Sequence, residues 1–148
     1  MTIFDLEHLE LAYAPPYGSA KDPVNMAGFV GSNVVLGDVE IVHPEDLDLQ
    51  KQSVQIVDVR SPSEYARGHI KDAVNLPLNE LRTLMERFDG KRKVLVYCQV
   101  GYRGYLAYRI LKQNGFEVVN LDGGFKSVVE GDFVGLQEVK EPARGPCY

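Results

Sequence analysis

Cys98 and Arg103 stand with four residues between them in "CQVGYR", and the surrounding tract "KVLVYCQVGYRGYLAYRIL" ends an apolar run on the cysteine before a helical pattern begins near Gly104. Cysteine acts as a nucleophile in its thiolate form, so its surroundings decide whether it reacts. A strand that delivers Cys98 to the carboxyl end of a parallel sheet puts it where open α/β folds place ligand sites. The loop Gln99, Val100, Gly101, Tyr102 and Arg103 can turn successive backbone N–H groups toward the sulfur as an anion-binding nest. The following helix N-terminus adds partial positive charge, and Arg103 can add a full one. Such a field favours thiolate, and a covalent intermediate on sulfur follows. Gly101 suits a tight loop that needs a positive φ. The alternative is an inert cysteine buried at a strand end, which the glycine, the arginine and the strand–loop–helix context disfavour.

Helices and strands must position that loop. "VEIV" (39–42), "VQIVDV" (54–59), "KVLVYC" (93–98) and "FEVVNL" (116–121) read as strands whose continuous apolarity suits a parallel sheet covered on both faces. In "SPSE" (61–64), Ser61 at the N-cap, Pro62 at the first helical position and Glu64 form a capping box, with Gly68 placed to end the helix. "LNELRTLMERF" spaces Leu78, Leu81, Leu84, Met85 and Phe88 on one helical face, and "YLAYRILKQNG" does so with Leu106, Ile110 and Leu111 before Gly115. The alternation predicts an α/β domain with right-handed crossovers.

Residues 1–37 fall outside that rhythm. A Pro-Pro-Tyr-Gly turn precedes a helix that Asp22 can cap, Pro23 can start and Gly37 can end. Val24, Ala27, Val30, Gly31, Val34 and Val35 would form an apolar stripe too large for so short a segment to bury alone. The expected organisation is therefore an N-terminal helical segment at 1–37, the α/β domain at 38–134 and a surface tail at 135–148, containing Cys147.

The composition excludes several classes. The net charge of -5 argues against nonspecific nucleic-acid binding. No apolar run reaches the roughly 18 to 20 residues of a membrane span, and "MTIFDLEHLE" lacks the features of a signal peptide. Two cysteines make no disulfide framework, so a reducing cytoplasm is the expected location. His8, His43 and His69 are scattered singly and no Cys-x-x-Cys occurs, so no metal site is expected. His69 reads as a turn residue satisfied by backbone rather than as a base.

"CQVGYR" resembles the Cys-x-x-Gly-x-Arg active-site loop of rhodanese-like sulfurtransferases. "VDVRSPSEYARGHIKDAVNLP" (57–77) is similar to that family's first signature, and "GFEVVNLDGGF" (115–125) to its strand and Gly-Gly turn. The resemblance covers about residues 39–132. It implies a five-stranded parallel sheet with helices on both faces, a persulfide on Cys98, and Gln99 to Arg103 as its substrate-binding cradle. Asp58 and Arg60 could contact that loop, or pair with each other or with Glu64. Phosphatases of related fold carry a loop one residue longer, suited to a tetrahedral oxyanion. The shorter ring here suits a single sulfur.

"YAPPYGSAKDPVNMAGFV" (13–30) resembles the end of the dimerisation domain of flavin-dependent pyridine-nucleotide disulfide reductases, in the branch that contains coenzyme A-disulfide reductase. Some of those reductases continue into a rhodanese domain. The two resemblances together imply a sulfurtransferase module that moves sulfane sulfur between low-molecular-weight thiols, coenzyme A being a candidate, within a larger NADH-dependent disulfide or persulfide reductase. FAD, NADH and coenzyme A are expected only for such a parent reductase, and this chain itself is expected to hold no cofactor. Residues 1–37 would then serve a homodimer or reductase-domain contact, and Tyr13 or Tyr17 could assist only a complete reductase site. The competing reading is a non-enzymatic dimerisation or docking module in which the cysteine is idle.

Overall fold

The structure, a computed structural model, describes residues 1–11, 22–47, 53–88, 90–131 and, by backbone alone, 137–138. The Pro-Pro-Tyr-Gly turn, Tyr13, Tyr17 and Cys147 lie outside the described residues. The chain forms two compact units, Met1–Glu40 and Ile41–Tyr148.

In the first unit, helix α1 (Ile3–Glu7) packs on helix α2 (Pro23–Val35). The predicted stripe on α2 stays largely unburied within this unit, as its size requires, although Gly31 lies against Ile3. Asn25, Gly28 and Ser32 are buried instead, while Val24, Val30 and Val35 are exposed. Two contacts with α1 and its end select that face. The Asn25 Nδ2 group donates to the carbonyls of Leu6 and Leu9, each at 3.0 Å, and so satisfies acceptors that the C-terminus of α1 leaves unpaired. A Cβ at Gly28 would lie 2.7 Å from the Glu7 nitrogen, so only glycine lets the helices approach this closely. Hydrophobic periodicity does not register an amide cap or an absent Cβ.

The second unit runs β1 (Ile41–Val42), β2 (Val54–Asp58), α3 (Pro62–Arg67), β3 (His69–Ile70), β4 (Val74–Asn75), α4 (Leu81–Leu84), β5 (Lys93–Tyr97), α5 (Tyr102–Gln113), β6 (Val118–Leu121), α6 (Gly124–Glu130) and β7 (Gln137–Glu138). Five strands make one sheet in the order β1-β6-β5-β2-β4, every pair parallel. Along β2, β5 and β6, Val54, Ile56, Leu95, Tyr97, Val119 and Leu121 join Phe125 and Val128 of α6 in one core cluster. The alternate residues Val57, Val94, Val96 and Val118 are equally buried on the other face. Helix α5 packs there against β5 and β6 through Ala107, Tyr108 and Leu111.

Several predicted elements differ in extent. β1 starts at Ile41 rather than Val39, and β6 at Val118 rather than Phe116. The helix read across 78–88 shrinks to α4 and a 3-10 turn at Met85–Arg87. Leu76 and Leu78 still donate their N–H groups to Asp58 and Val59 beyond the end of β2, which delays the helix. On α5, Leu106 and Ile110 are only half-buried, because Ala107 and Tyr108 take the central positions. β7 lies in the C-terminal tail at 135–148 and pairs antiparallel with β3. β3 and β4, two residues each, carry too little pattern to be seen in the sequence.

Candidate active site

β2 and β5 pair in register from Val54–Lys93 to Asp58–Tyr97, so their carboxyl ends lie side by side. Val59 then donates to the Tyr97 carbonyl at 3.0 Å. The chain leaving β2 through Arg60 and the chain leaving β5 through Cys98 therefore start from one edge of the sheet.

The cysteine loop is shorter than the sequence pattern indicates. Helix α5 starts at Tyr102, not near Gly104, so Arg103 belongs to its first turn. Gly101 is the N-cap, with φ of +117°, a conformation that a side chain would strain. That turn points the Gly101 N–H at the Cys98 Sγ, 3.1 Å away. The sulfur thus accepts a backbone hydrogen bond at a helix N-terminus, a setting that favours negative charge. Cys98 is 1% exposed, whereas Val100 and Tyr102 are 60% and 67% exposed around it.

A second loop braces the first. Phe125 donates to the Cys98 carbonyl at 2.8 Å, and Lys126 to that of Gln99 at 3.0 Å. Gly124 permits this with φ of +62°. A Cβ there would lie 2.5 Å from the Cys98 carbonyl oxygen and 2.9 Å from the Val100 nitrogen. Gly124→Ala is therefore expected to cost about 1–3 kcal/mol of stability. It should also slow alkylation of Cys98 by displacing the loop. Thermal melting and iodoacetamide kinetics would check both effects, and wild-type values in both would remove the bracing role.

Arg103 is not a free cation in the loop. Its Nη1 and Nη2 donate to Oε2 and Oε1 of Glu64 at 2.8 and 2.7 Å, a forked pair. Glu64 is the acid of the capping box at α3, whose Oε2 also accepts from Ser61 N at 3.0 Å. The sequence reading missed this role, although the position of the box beside the carboxyl end of β2 was available as a signal. The Arg103 hydrogen bonds lower the Glu64 pKa from 4.5 to about 2. Glu64 in turn raises the Arg103 pKa, against the effect of burial, with Cys98 a smaller contributor.

A carboxylate whose folded pKa is depressed stabilises the fold above its unfolded value and loses that contribution as pH falls through the folded one. Glu64→Gln should therefore lower the urea midpoint at pH 6, and the gap from wild type should close between about pH 4.5 and 2. A gap that persists at the acid end would mean that the carboxylate charge is not what matters.

Asp58 and Arg60 pair with each other, and both are buried. Arg60 donates from Nη2 to Asp58 Oδ2 at 2.7 Å and to the Gly68 carbonyl at 2.7 Å. Its Nη1 reaches the Gln99 Oε1 at 3.0 Å, so the pair touches the cysteine loop as well. The Arg60 guanidinium lies 4.2 Å from the centroid of the Phe125 ring, a cation–π contact. Tyr97 stays protonated, because burial first and then Asp58 push its pKa upward, while its hydroxyl accepts from Ile70 N–H at 3.1 Å. His69 stacks on Tyr65 and its Nδ1 meets the Tyr65 carbonyl at 3.0 Å. A cavity of about 260 Å³ opens at Gln99, lined also by Glu64, Arg67, Phe125 and Val129.

The family model for the rhodanese-like domain matches residues 44–130. The chain belongs to the rhodanese-like family. Among curated relatives, a sulfurtransferase of Allochromatium vinosum is 40% identical over 74 residues, 49% of this chain and 69% of its own length. An uncharacterized protein of Bacillus subtilis, YqhL, is 40% identical over 76 residues, 51% of this chain and 60% of its own length. Among solved structures, reduced Bacillus anthracis CoADR-RHD aligns with a TM-score of 0.83 at 44% identity, over 88% of this chain and 24% of that one. An NAD-dependent persulfide reductase from A. fulgidus aligns with a TM-score of 0.73 at 39% identity, over 84% of this chain and 22% of that one. This rhodanese-like chain thus spans about a quarter of the length of those two structures.

Proposed function

We propose that the chain is a sulfurtransferase that carries sulfane sulfur as a persulfide on Cys98. The observation that carries this reading is the Gly101 N–H held 3.1 Å from the Cys98 Sγ at the start of α5. The Cys98 thiolate attacks the outer sulfur of a persulfide R–S–SH. The S–S bond of the donor breaks, R–S⁻ leaves, and Cys98 carries the S–SH group. An acceptor thiolate then attacks that outer sulfur, and Cys98 leaves as thiolate. Each step exchanges one S–S bond for another, with no outside oxidant or reductant. The Gly101 N–H stabilises negative sulfur in the thiolate and the persulfide alike, and Gln99, Val100, Tyr102 and Arg103 complete the surroundings of the reacting atom.

The names of the relatives support sulfur transfer in general. The two reductase structures, similar over most of this chain, support a longer protein in which sulfur delivered to Cys98 is discharged by a reductase part. In that setting the donors and acceptors are low-molecular-weight thiols, coenzyme A among them, and residues 1–37 contact the reductase part or a second copy.

The donor can be tested directly. Glu64 neutralises Arg103, so the loop offers no free cation to a small dianion such as thiosulfate. An organic persulfide brings a carbon body that exposed apolar side chains such as Tyr102 and Val129 can receive. The kcat/KM for an organic persulfide should exceed that for thiosulfate by about ten-fold or more. Intact-protein mass after each donor should show one added sulfur. Equal kcat/KM values at low ionic strength, where steering is strongest, would overturn this donor preference. No added sulfur from any donor would overturn the sulfurtransferase reading itself.

A further inference from the structure

Three charged side chains line the cavity that opens at Gln99, and two of them are already matched. Arg60 is held by Asp58, and Glu64 by Arg103. Arg67 is different. Its Nε donates to the Ser63 carbonyl at 3.1 Å, while its Nη groups have no partner among the described residues. Phe125 and Val129 supply the apolar part of the lining. Gln99 supplies an amide of fixed orientation. A guanidinium can only donate, so the Gln99 carbonyl must face Arg60, which leaves its NH2 free to donate elsewhere.

We infer that Arg67 is a specificity-determining residue: it selects sulfur donors and acceptors that carry a carboxylate or another anionic group apart from the reacting sulfur. This rests on sulfur transfer at Cys98 and goes beyond it by assigning the binding contacts. The anionic group pairs with the Arg67 Nη groups, for which a planar carboxylate is the matching shape. The carbon skeleton lies on Phe125 and Val129, and the Gln99 NH2 meets a polar atom nearer the sulfur. A neutral thiol of the same size gains only the apolar contact. Thiosulfate, whose charge sits on the group that bears the reacting sulfur, cannot divide itself between Arg67 and Cys98.

The charge preference can be read without sulfur transfer. The Cys98 thiolate attacks an aromatic disulfide, expels one aryl thiolate and keeps the other as a mixed disulfide, so the bookkeeping needs no further reagent. Dithiobis(nitrobenzoate) bears carboxylates, and dithiodipyridine is neutral. The measurement is the ratio of their second-order rate constants at Cys98, with the site assigned by peptide mass. Arg67→Gln should lower this ratio about three-fold, Arg67→Glu should lower it further, and Arg67→Lys should retain most of it. Salt should shrink the wild-type ratio toward that of Arg67→Gln. The same order should hold for sulfur transfer from the Cys98 persulfide to 3-mercaptopropionate against its amide. A ratio equal in wild type, Arg67→Gln and Arg67→Glu would overturn the assignment of Arg67. A ratio that falls as expected, in a protein whose Cys98 takes up no sulfur, would support Arg67 as the anion contact and overturn only the sulfurtransferase reading.

Discussion

Cys98→Ala is expected to abolish persulfide formation on this chain and to lower sulfur transfer by on the order of 10³-fold or more, the scale seen when a covalent nucleophile is removed. The chemistry allows no substitute nearby. Among the described residues Cys98 is the free cysteine, and the backbone amide of Gly101 is directed at its sulfur. Cys147 offers a second thiol in the sequence, outside the described residues. Peptide mass mapping after treatment with an organic persulfide separates the two. Label on Cys98 with loss of turnover in Cys98→Ala is the expected pattern, whereas label on Cys147 alone or undiminished turnover would refute it. A merely structural defect must be set aside. The alanine leaves the Gly101 N–H without its acceptor, which costs about 1 kcal/mol. Cys98→Ser restores an acceptor there but cannot carry sulfane sulfur, so it should melt near wild type and remain inactive.

The largest stability effect is expected at Arg60. Asp58 is fully buried, and Arg60 meets it with Nε, with Nη2 and with its own backbone N–H. Burial opposes the charge on Arg60, yet the hydrogen bonds and proximity of Asp58 outweigh it and raise the arginine pKa. Arg60→Met would strand a carboxylate in the interior, at a cost of about 3–5 kcal/mol. For a domain of this size the melting temperature should fall by on the order of 10 °C. Arg60→Lys should recover little, because an ammonium cannot reproduce the fork to Asp58 together with the bonds to Gly68 and Gln99. Replacing both partners, Asp58→Leu with Arg60→Met, should recover much of the loss, since no charge is then left unpaired. Arg60→Met melting with wild type would show that the pair does not hold the fold. If the double variant regains stability but reacts slowly at Cys98, the cause is the lost tether to Gln99.

Much of the active edge could be read from the sequence, for local reasons. β2, β5 and α5 declare themselves through short apolar runs and a glycine-bounded helix. The capping box at Ser61 and Glu64 forms as its residue types require, because its partners lie three residues apart. The position of Cys98 between strand and helix follows from the same local pattern. The face that α2 buries through Asn25, Gly28 and Ser32 does not follow from it, because the residues that Asn25 meets, Leu6, Glu7 and Leu9, precede it by sixteen or more positions.

The amino-acid sequence by itself determined the element types at the active edge, the placing of one thiol at a helix start and the need for glycine at position 101, all of which depend on neighbours within a few residues. Only the tertiary structure decided where the charges go. Arg103 and Glu64, and likewise Arg60 and Gln99, are 39 positions apart and meet because β2 and β5 pair in parallel. Gly124 reaches the cysteine loop only because the loop after β6 arrives at the same end of the sheet. A forked ion pair depends on ångström-scale geometry, and spacing along a chain specifies that geometry only after the strands have chosen their order and register.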